Sequence, residues 1–372
     1  MKPIKVLEVI RQGEIGGGES HVLDLISGFD RKLVEPIAMA FTDGHMIATL
    51  KEQGIKCYVV NTRKAFDLKV QRQITRITQE EKIQIIHAHG SRAASNMLWT
   101  ARKLHLPLVY TVHGWSFHQD QNRLIYRLRA WSEKLICSQS RQVICVSESN
   151  RQSGIESFGL GKNCRVIENG INLAKFKANA QMKNIRNELG IPKDQFIVGF
   201  IGRITLQKSP IDFIKAVATA HAVDSSIKGL LIGEGEMKKE VTEYIRQERW
   251  EDCFYLSDFR NDIPDVLQAI DIFCLPSLWE GLSIALLEAM AMKKALVVTP
   301  TDGTREIIKD HQNGLIVPYN QPHKLSEAFL EYKRDTKLKE TCGENAFLLI
   351  KERFDSQRVS SEVTGIYKNI LL

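Results

Sequence analysis

Short runs of apolar and β-branched residues alternate with segments of helical periodicity along almost the whole chain. In the first half, strand-like runs lie at 4–10, 36–41, 57–60, 83–90, 106–114, 142–147 and 165–169. Segments such as 20–29 and 91–104 repeat apolar residues at helical spacing between them. Strands that are apolar throughout and separated by helices are typical of a parallel sheet covered on both faces. The first half therefore predicts a doubly wound α/β domain.

The same alternation restarts after a polar stretch at 172–184, which we interpret as a linker. Strand-like runs then lie at 196–202, 228–233, 254–256, 271–276, 294–300 and 313–318, with helical patterns at 209–222, 235–248, 262–269, 282–293 and 321–350. A chain of 372 residues also exceeds the usual size of one core. We predict one domain at 1–172, a second at 173–354 and a final helix at 355–372. Because parallel sheets bind ligands at the carboxyl ends of their strands, we expect two facing domains with a cleft between them.

Charge is distributed unevenly between the two halves. Residues 1–172 hold 24 Lys and Arg against 16 Asp and Glu, whereas the remainder holds 27 against 28. A basic half could bind nucleic acid, anionic lipid or a phosphorylated substrate. Because no aromatic residues for base stacking are interleaved with the basic residues, no nucleic-acid partner is expected. No apolar run approaches the ~18–20 residues of a membrane span, and the N-terminus is a poor signal peptide. These features predict a cytoplasmic protein.

One basic segment, 123–136, has features of a membrane-surface helix. Apolar residues alternate there with basic ones, namely Leu124, Ile125, Tyr126, Leu128 and Trp131 among Arg123, Arg127, Arg129 and Lys134. Such a helix can lie at an anionic lipid surface. The alternative is a helix that faces the core and leaves one side in solvent.

Glycine and histidine residues mark several strand ends in the first half. Gly16, Gly17 and Gly18 precede a helix whose N-terminus suits an anion, although neither a dinucleotide fingerprint nor a Walker loop is present.

His113, followed by a glycine, is the histidine most favoured as a site residue, and His87 and His89 are more typical of buried core residues. The His87–His89 pair lacks a third ligand nearby in the sequence, and the seven cysteines show no metal-ligand spacing, so no metal site is expected.

The second half places charged residues at two strand ends. Gly202 ends a strand and is followed by Arg203 and Lys208, which can hold a diphosphate by charge-assisted bonds; the alternative is two solvated surface charges. Glu280 lies on a turn before an apolar helix, and Glu288 lies within that helix with apolar residues on both sides. We expect Glu288 to be buried and to need hydrogen-bond donors, such as sugar or ribose hydroxyls.

Six motifs resemble one known family. They are GGGES at 16–20, HGW at 113–115, ENGI at 168–171, GRITLQKS at 202–209, GEGE at 233–236 and the pair Glu280–x7–Glu288 followed by AMA. Together they are similar to the retaining glycosyltransferases of family 4. The resemblance covers nearly the whole chain and implies the GT-B fold of two facing Rossmann-like domains, with the final helix crossing back onto the first. It also implies a nucleotide-diphosphate sugar donor, retention of anomeric configuration, and no metal or other cofactor.

The resemblance assigns roles to five charged or polar side chains. Arg203 and Lys208 match the cations that neutralise the donor diphosphate. Glu280 matches the acid that contacts the donor sugar, and Glu288 matches the carboxylate that holds the ribose hydroxyls. His113 matches the histidine that touches the transferred sugar.

Backbone groups complete the implied donor site. Gly16 and Gly17 match the loop beside the donor phosphates, and Phe259 and Arg260 fall where the family cradles the base, mostly through backbone atoms. The other expected donor contacts lie at strand-to-helix junctions, at Gly202, Gly281, Leu282 and Ser283. The segment 301–308 departs from the family's G-G-x-x-E-I-I pattern, of which only Gly303 and residues 306–308 remain.

The expected function is therefore sugar transfer to a glycan or lipid-linked glycan in cell-surface polysaccharide or glycoconjugate synthesis, at the inner face of a membrane. A UDP-sugar is the favoured donor because that donor class is common. The resemblance favours front-face attack, in which the departing phosphate takes the proton of the acceptor. Two alternatives are a nucleotide-sugar epimerase of the same architecture and a non-catalytic nucleotide-sugar-binding protein.

Overall fold

The computed structural model describes residues 2–14, 16–117, 122–176 and 182–372. The chain divides into two compact units, one formed by 1–170 with 356–372 and the other by 171–355. Residues 177–181 of the expected linker lie outside the described residues. Among the described residues, every helix is too short or too polar to span a bilayer.

The first unit contains a parallel sheet of seven strands. The strands are β1 (Ile4–Ile10), β2 (Val34–Ala40), β3 (Lys56–Val59), β4 (Ile85–His89), β5 (Leu108–Val112), β6 (Gln142–Cys145) and β7 (Cys164–Val166), in the order β3-β2-β1-β4-β5-β6-β7. The helices between them are α1 (Gly17–Gly28), α2 (His45–Glu52), α3 (Gln71–Glu80), α4 (Ser91–Lys103), α5 (Arg123–Gln139) and α6 (Glu148–Phe158). This confirms the predicted doubly wound architecture.

The second unit repeats this plan with six parallel strands. They are β8 (Phe196–Ile201), β9 (Ile227–Ile232), β10 (Phe254–Ser257), β11 (Ile272–Leu275), β12 (Ala295–Val298) and β13 (Leu315–Ile316), in the order β10-β9-β8-β11-β12-β13. The helices are α7 (Ile185–Glu188), α8 (Pro210–Val223), α9 (Lys238–Gln247), α10 (Ile263–Ala269), α11 (Ile284–Ala291), α12 (Asp302–Ile307), α13 (Pro322–Arg334) and α14 (Thr336–Arg353). The prediction of one helical segment over 321–350 is wrong. It is divided at Asp335, whose side chain accepts a hydrogen bond from the backbone N–H of Leu338 and so begins α14.

Strand periodicity explains why helices cover both faces of the first sheet. Val6 and Ile10 of β1 pack with α1 and with the last helix, α15 (Ser356–Leu371), whereas Leu7 and Val9 pack with α3 and α4 on the other face. The two helices α1 and α15 approach closely, because a Cβ atom at Gly28 would lie 2.3 Å from Ser360 Oγ. Helix α15 therefore forms part of the first unit's core.

The strand order fixes where loops converge. In the first unit the order reverses between β1 and β4, and in the second between β8 and β11. Ligands of doubly wound sheets bind outside the carboxyl ends of the strands at such reversal points. The loops that follow these strands hold most of the charged and polar residues that the sequence analysis singled out.

Candidate active site

The loop after β8 is held in a conformation that requires glycine. Gly202 has a φ of +159°, and a Cβ atom at Gly233 would lie 1.9 Å from the carbonyl oxygen of Gly202. A short 3₁₀ helix, Leu206–Lys208, follows, and Pro210 begins α8. The close approach of the two glycine loops gives this strand end a rigid backbone.

Lys208 and Glu280 are brought together at the β8–β11 reversal point. The ammonium of Lys208 pairs with Glu280 Oε1, and the two side chains are only 11% and 12% exposed. The loops that carry them are also joined through Gln207, whose Nε2 donates to the carbonyl of Trp279 at 2.8 Å and whose carbonyl accepts from Leu278 N at 2.8 Å. The side chain of Ser277 donates to the same carboxylate oxygen at 3.2 Å.

Arg203 is exposed, in contrast to Lys208. Within the described part of the chain, its guanidinium takes part in no ion pair or side-chain hydrogen bond. The loop after β8 therefore carries one exposed cation, Arg203, and one cation that an ion pair fixes in place, Lys208. A diphosphate suits such a pair.

The turn after Glu280 leads into helix α11. Ser283 is the N-cap residue, and its side chain makes no capping hydrogen bond, so amides of the first turn remain for an anion. Gly281 and Leu282 pack against the segment that departs from the family pattern, because a Cβ atom at Gly303 would lie 2.1 Å from the carbonyl oxygen of Gly281. Gly303 is therefore needed for this close backbone contact.

Glu288 is half-buried, so the expectation that apolar residues enclose its carboxylate is wrong. Its apolar sequence neighbours, Leu287 and Ala289, point into the core, whereas Ala285 and Glu288 share the partly exposed face of α11. This placement spares the carboxylate the cost of a fully enclosed charge.

The segment after β10 borders a cavity of about 340 Å³. Its lining residues are Lys183, Ser257, Phe259, Arg260, Asn261 and Asp262. The Arg260 guanidinium is bound by Asp262 and Glu188, which raise its pKa. The Arg260 side chain is thus already bound to two carboxylates. A nucleotide base in this cavity would contact backbone groups and the ring of Phe259, which is 40% exposed.

In the first unit, the glycine loop lies beside His113. Gly16 is the N-cap of α1, and a Cβ atom at Gly18 would lie 3.6 Å from Cδ2 of His113. Glu19, in the first turn of α1, is buried and lies 3.9 Å from Arg11 Nε. Two features that lie far apart in the sequence, Gly16–Gly18 and His113, therefore meet at the same strand ends.

A buried polar network surrounds His113. His89 Nδ1 lies 3.3 Å from His113 Nε2, and His89 Nε2 lies 2.9 Å from Glu8 Oε2. Tyr367, from α15, donates to Glu8 Oε1 at 2.8 Å. The ring of His21, from α1, packs edge-on against His113 with centroids 4.8 Å apart.

Burial disfavours the protonated forms of His21, His89 and His113. It lowers the pKa of His89 to about 4 and that of His21 to about 3, and it lowers the pKa of His113 well below the ordinary value. The pKa of the Glu8 carboxyl is also lowered: burial opposes ionisation, but the adjacent His87 and His89 outweigh it.

The argument that His87 and His89 lack a third ligand is wrong. Possible ligand atoms of His21, His89 and His113 lie within 4.8 Å of one another, as do those of Glu8, His87 and His89. The members of these groups lie far apart along the chain, so the sequence does not show that they meet. In the sheet β1, β4 and β5 are neighbours, and the pairing of β1 with β4 aligns Glu8 with His87. Glu8, His21 and Tyr367 were not predicted from the sequence, although a glutamate inside the apolar run of β1 is a signal.

Comparisons with known proteins define the class to which the chain belongs. Residues 15–175 match the model of Glycosyltransferase Family 4, and residues 181–348 match that of Glycosyl transferases group 1. The chain belongs to this group 1 / family 4 of glycosyltransferases and is a glycosyltransferase. None of these findings supports the epimerase alternative.

Its relatives include proteins named as sugar transferases. The chain is 26% identical over 276 residues, 72% of this chain and 71% of the relative, to the Escherichia coli UDP-Gal:alpha-D-GlcNAc-diphosphoundecaprenol alpha-1,3-galactosyltransferase. It is 24% identical to the phosphatidyl-myo-inositol mannosyltransferase of Mycobacterium leprae, covering 95% of this chain and 93% of that one. The crystal structure of Anabaena HepE with UDP and glucose superposes with a TM-score of 0.88 at 21% identity, covering 98% and 99% of the two chains. The fold is therefore GT-B, as predicted.

Proposed function

We propose that this glycosyltransferase moves a sugar from UDP to a lipid-linked glycan with retention of anomeric configuration. The observation that carries the proposal is the buried Lys208–Glu280 pair at the reversal point of the second sheet, in which Lys208 shares the loop after β8 with the exposed Arg203. Arg203 and Lys208 bind the donor diphosphate, Glu280 the sugar and Glu288 the ribose. His113 of the first unit contacts the transferred sugar.

The chemistry follows from where charge develops. The acceptor oxygen forms a bond to the anomeric carbon on the face from which the β-phosphate departs, and the bond between that carbon and the phosphate oxygen breaks. The departing phosphate takes the proton of the acceptor hydroxyl. Because negative charge accumulates on the phosphate, Arg203, Lys208 and the first-turn amides of α11 stabilise the transition state without a metal ion.

Two relatives favour a UDP donor. The E. coli relative is named for UDP-Gal, and HepE structures contain UDP with glucose or UDP-glucose. The cavity beside Phe259 offers an aromatic ring and backbone groups to a base, which suits the flat face of uracil.

The exposed side of α5 supports a lipid-linked acceptor. Leu124, Leu128 and Trp131 are 76%, 64% and 61% exposed and follow one another at spacings of four and three residues, so they form one apolar stripe. Ala130, Glu133, Ile136 and Cys137 form the buried side of the helix, as the alternative of a core-facing helix with one solvated side expects, and the stripe lies on its exposed side. The E. coli relative acts on an undecaprenol-linked acceptor.

Binding and turnover test this function separately. Thermal-shift measurements with UDP-, GDP- and ADP-sugars should give the largest stabilisation with a UDP-sugar, since a ligand of the folded state raises the melting temperature. Release of UDP should then depend on an undecaprenyl-diphosphate glycan, persist in EDTA and yield an α-linked product by NMR. Epimerised donor without transfer, or a trapped covalent glycosyl–enzyme, would contradict the proposal.

A further inference from the structure

Three histidine rings from three different elements converge at the strand ends of the first unit. Possible ligand atoms of His21, His89 and His113 all lie within 4.8 Å of one another. His89 Nδ1 and His113 Nε2 are 3.3 Å apart. Two nitrogens on one tetrahedral zinc ion are separated by roughly 3.3–3.4 Å, given Zn–N bonds of about 2.0–2.1 Å. The spacing of these two nitrogens therefore already suits a shared metal ion.

The third ring, that of His21 on α1, lies close enough to complete the group. The ring centroids are 4.8 Å apart for His21 and His113, 5.7 Å for His21 and His89, and 5.6 Å for His89 and His113. Imidazoles on one tetrahedral zinc ion have centroids roughly 5 Å apart, because each ring extends outward from its bound nitrogen. A side-chain rotation of His21 is therefore enough to bring its nitrogen to the ion.

Glu8 provides a carboxylate behind one of the ligands. Its Oε2 lies 2.9 Å from His89 Nε2, on the far side of the ring from Nδ1. Histidines that bind a metal commonly donate their other N–H to a carboxylate, which orients the ring. Glu8 is also fully buried, and among the described residues neither a lysine nor an arginine pairs with it. Such a carboxylate needs a positive charge nearby, from a protonated imidazole or from a metal ion on His89 Nδ1.

His113 gives the site its access. It is the partly exposed member of the three, whereas His21 and His89 are buried. The charge of Arg11 acts on His113 and opposes a cation there, but Glu19 Oε1 lies 3.9 Å from Arg11 Nε and offsets that charge. An ion can therefore reach the rings from the His113 side without meeting an uncompensated positive charge.

The neighbouring group of Glu8, His87 and His89 is a poorer site. His87 is fully enclosed, and its two nitrogens already face Tyr367 OH at 2.5 Å and Thr111 Oγ1 at 2.7 Å. A metal ion there would have to displace those hydrogen bonds inside the core.

We propose that His21, His89 and His113 form a binding site for a zinc ion, with Glu8 as the positioning residue of His89. Three imidazoles with an open fourth position are a known zinc ligand set, and imidazole is a ligand that zinc prefers. Metal binding at these rings is separate from sugar transfer, whose phosphate charge is met by residues of the second unit.

Binding is measured on protein freed of metal with a chelator. Titration with zinc against a chromogenic chelator should show one site, and zinc should raise the melting temperature. Cobalt in its place should give the intense visible absorption of a tetrahedral ion. Crystals grown with zinc should show the ion about 2.0–2.1 Å from all three rings. An ion bound instead by Glu8 and His87, or at the protein surface, would overturn the proposal, as would the absence of binding.

Three variants separate loss of a ligand from general effects. His21→Gln should raise the zinc dissociation constant at least about 100-fold, because one of three ligands is lost. Glu8→Gln keeps the shape of the side chain but removes its charge, and should raise that constant about 10–100-fold. His323→Gln, at an exposed histidine of α13, is the control and should bind zinc like the wild type. Urea unfolding of the metal-free variants checks that each is folded, and wild-type affinity in folded His21→Gln would refute the site.

Activity gives a further readout that rests on the proposed function, in which His113 contacts the sugar. Relative to the rate in EDTA, zinc should inhibit the wild type and His323→Gln equally, and it should inhibit His21→Gln only at about 100-fold higher concentration. Equal inhibition of His21→Gln and the wild type would contradict inhibition through the three rings. Zinc bound at the three rings without any inhibition would refute the proposed role of His113 in transfer and leave the metal site in place.

Discussion

The ammonium of Lys208 and the carboxylate of Glu280 form a nearly buried ion pair between the loops that follow β8 and β11. The two strands are neighbours, at the point where the strand order of the second sheet reverses. The pair therefore holds two proposed catalytic groups against each other on separate loops. The stability of this sheet edge therefore depends on the same two residues as the proposed sugar transfer.

Replacing Lys208 with methionine should impair both activity and stability. The substitution leaves the carboxylate of Glu280 without its cation, which should lower the free energy of unfolding by about 1–3 kcal/mol. Loss of a cation at the departing phosphate should lower kcat/KM by about 10²–10³-fold. Steady-state kinetics and urea unfolding measure the two effects. Lys337→Met, at an exposed position in the first turn of α14, is the control and should change neither.

Arg203→Ala should separate these two effects. Because the guanidinium is exposed and has no ion pair within the described part of the chain, its removal should leave the unfolding free energy within about 0.5 kcal/mol. We expect kcat/KM to fall about 10²-fold, with partial recovery in Arg203→Lys. Arg246→Ala, an exposed arginine of α9, controls for the loss of surface charge. Full activity in Arg203→Ala would argue against the proposed diphosphate site.

Gly303→Ala should disturb the backbone that contacts Gly281. The new methyl group would lie 2.1 Å from a carbonyl oxygen, so the turn before α11 must shift. We expect donor KM to rise at least tenfold, which initial rates at varied UDP-sugar concentration would measure. Gly365→Ala is the matched control, because nothing lies within 4 Å of its new methyl group, and it should stabilise α15 by up to about 1 kcal/mol.

The fold was predictable because its signals are local. Apolar runs and helical spacing identify the strands and helices of both sheets, whereas the break at Asp335 was missed because an N-cap interrupts a helical pattern without a glycine or proline. The proximity of Lys208 and Glu280 was predictable because the carboxyl ends of parallel strands share one edge of a sheet.

The remainder of the site depends on contacts between distant segments. Glu8 meets His87 and His89 through the register of β1 and β4, and Tyr367 reaches them from the last helix. The burial of Glu288 was overestimated because neighbours in a helical sequence point to different faces. The contacts of Glu8 cannot be obtained from a local pattern, whereas helical spacing alone would have placed Glu288 on a partly exposed face.

Acid should destabilise the first unit through His21. A group whose pKa is about 3 in the folded protein and 6.5 in the unfolded chain binds more protons when unfolded, so stability falls as pH drops below 6.5. His89 acts in the same direction. Urea unfolding between pH 6.5 and 4 should therefore show a pH dependence that is shallower in His21→Gln than in the wild type by about 1.4 kcal/mol per pH unit.

His311 provides a control of opposite sign. Asp310 and Glu331 raise its pKa, so its stabilising contribution is present at low pH and is lost as pH rises through the folded value. His311→Gln should make the acid destabilisation slightly steeper. An identical pH dependence for His21→Gln and the wild type would contradict a neutral, buried His21.

Helix α5 should bring the protein to anionic lipid. Its apolar stripe, Leu124, Leu128 and Trp131, lies beside exposed Arg123 and Arg127, so insertion of the stripe and attraction of the arginines act together. Each inserted side chain contributes about 1.5–3 kcal/mol and each arginine about 1 kcal/mol. The wild type should therefore float with phosphatidylglycerol-containing liposomes at low salt and less at high salt.

A double substitution, Leu128→Ser with Trp131→Ser, should reduce this partitioning at least 100-fold, because it removes two inserted side chains. Leu348→Ser, at a 60% exposed leucine of α14, should float like the wild type. The double variant should retain turnover of a water-soluble acceptor analogue and lose turnover of acceptor in liposomes, since the donor site is unchanged. Wild-type protein that stays in the aqueous phase at low salt would contradict the proposed binding of the stripe to lipid.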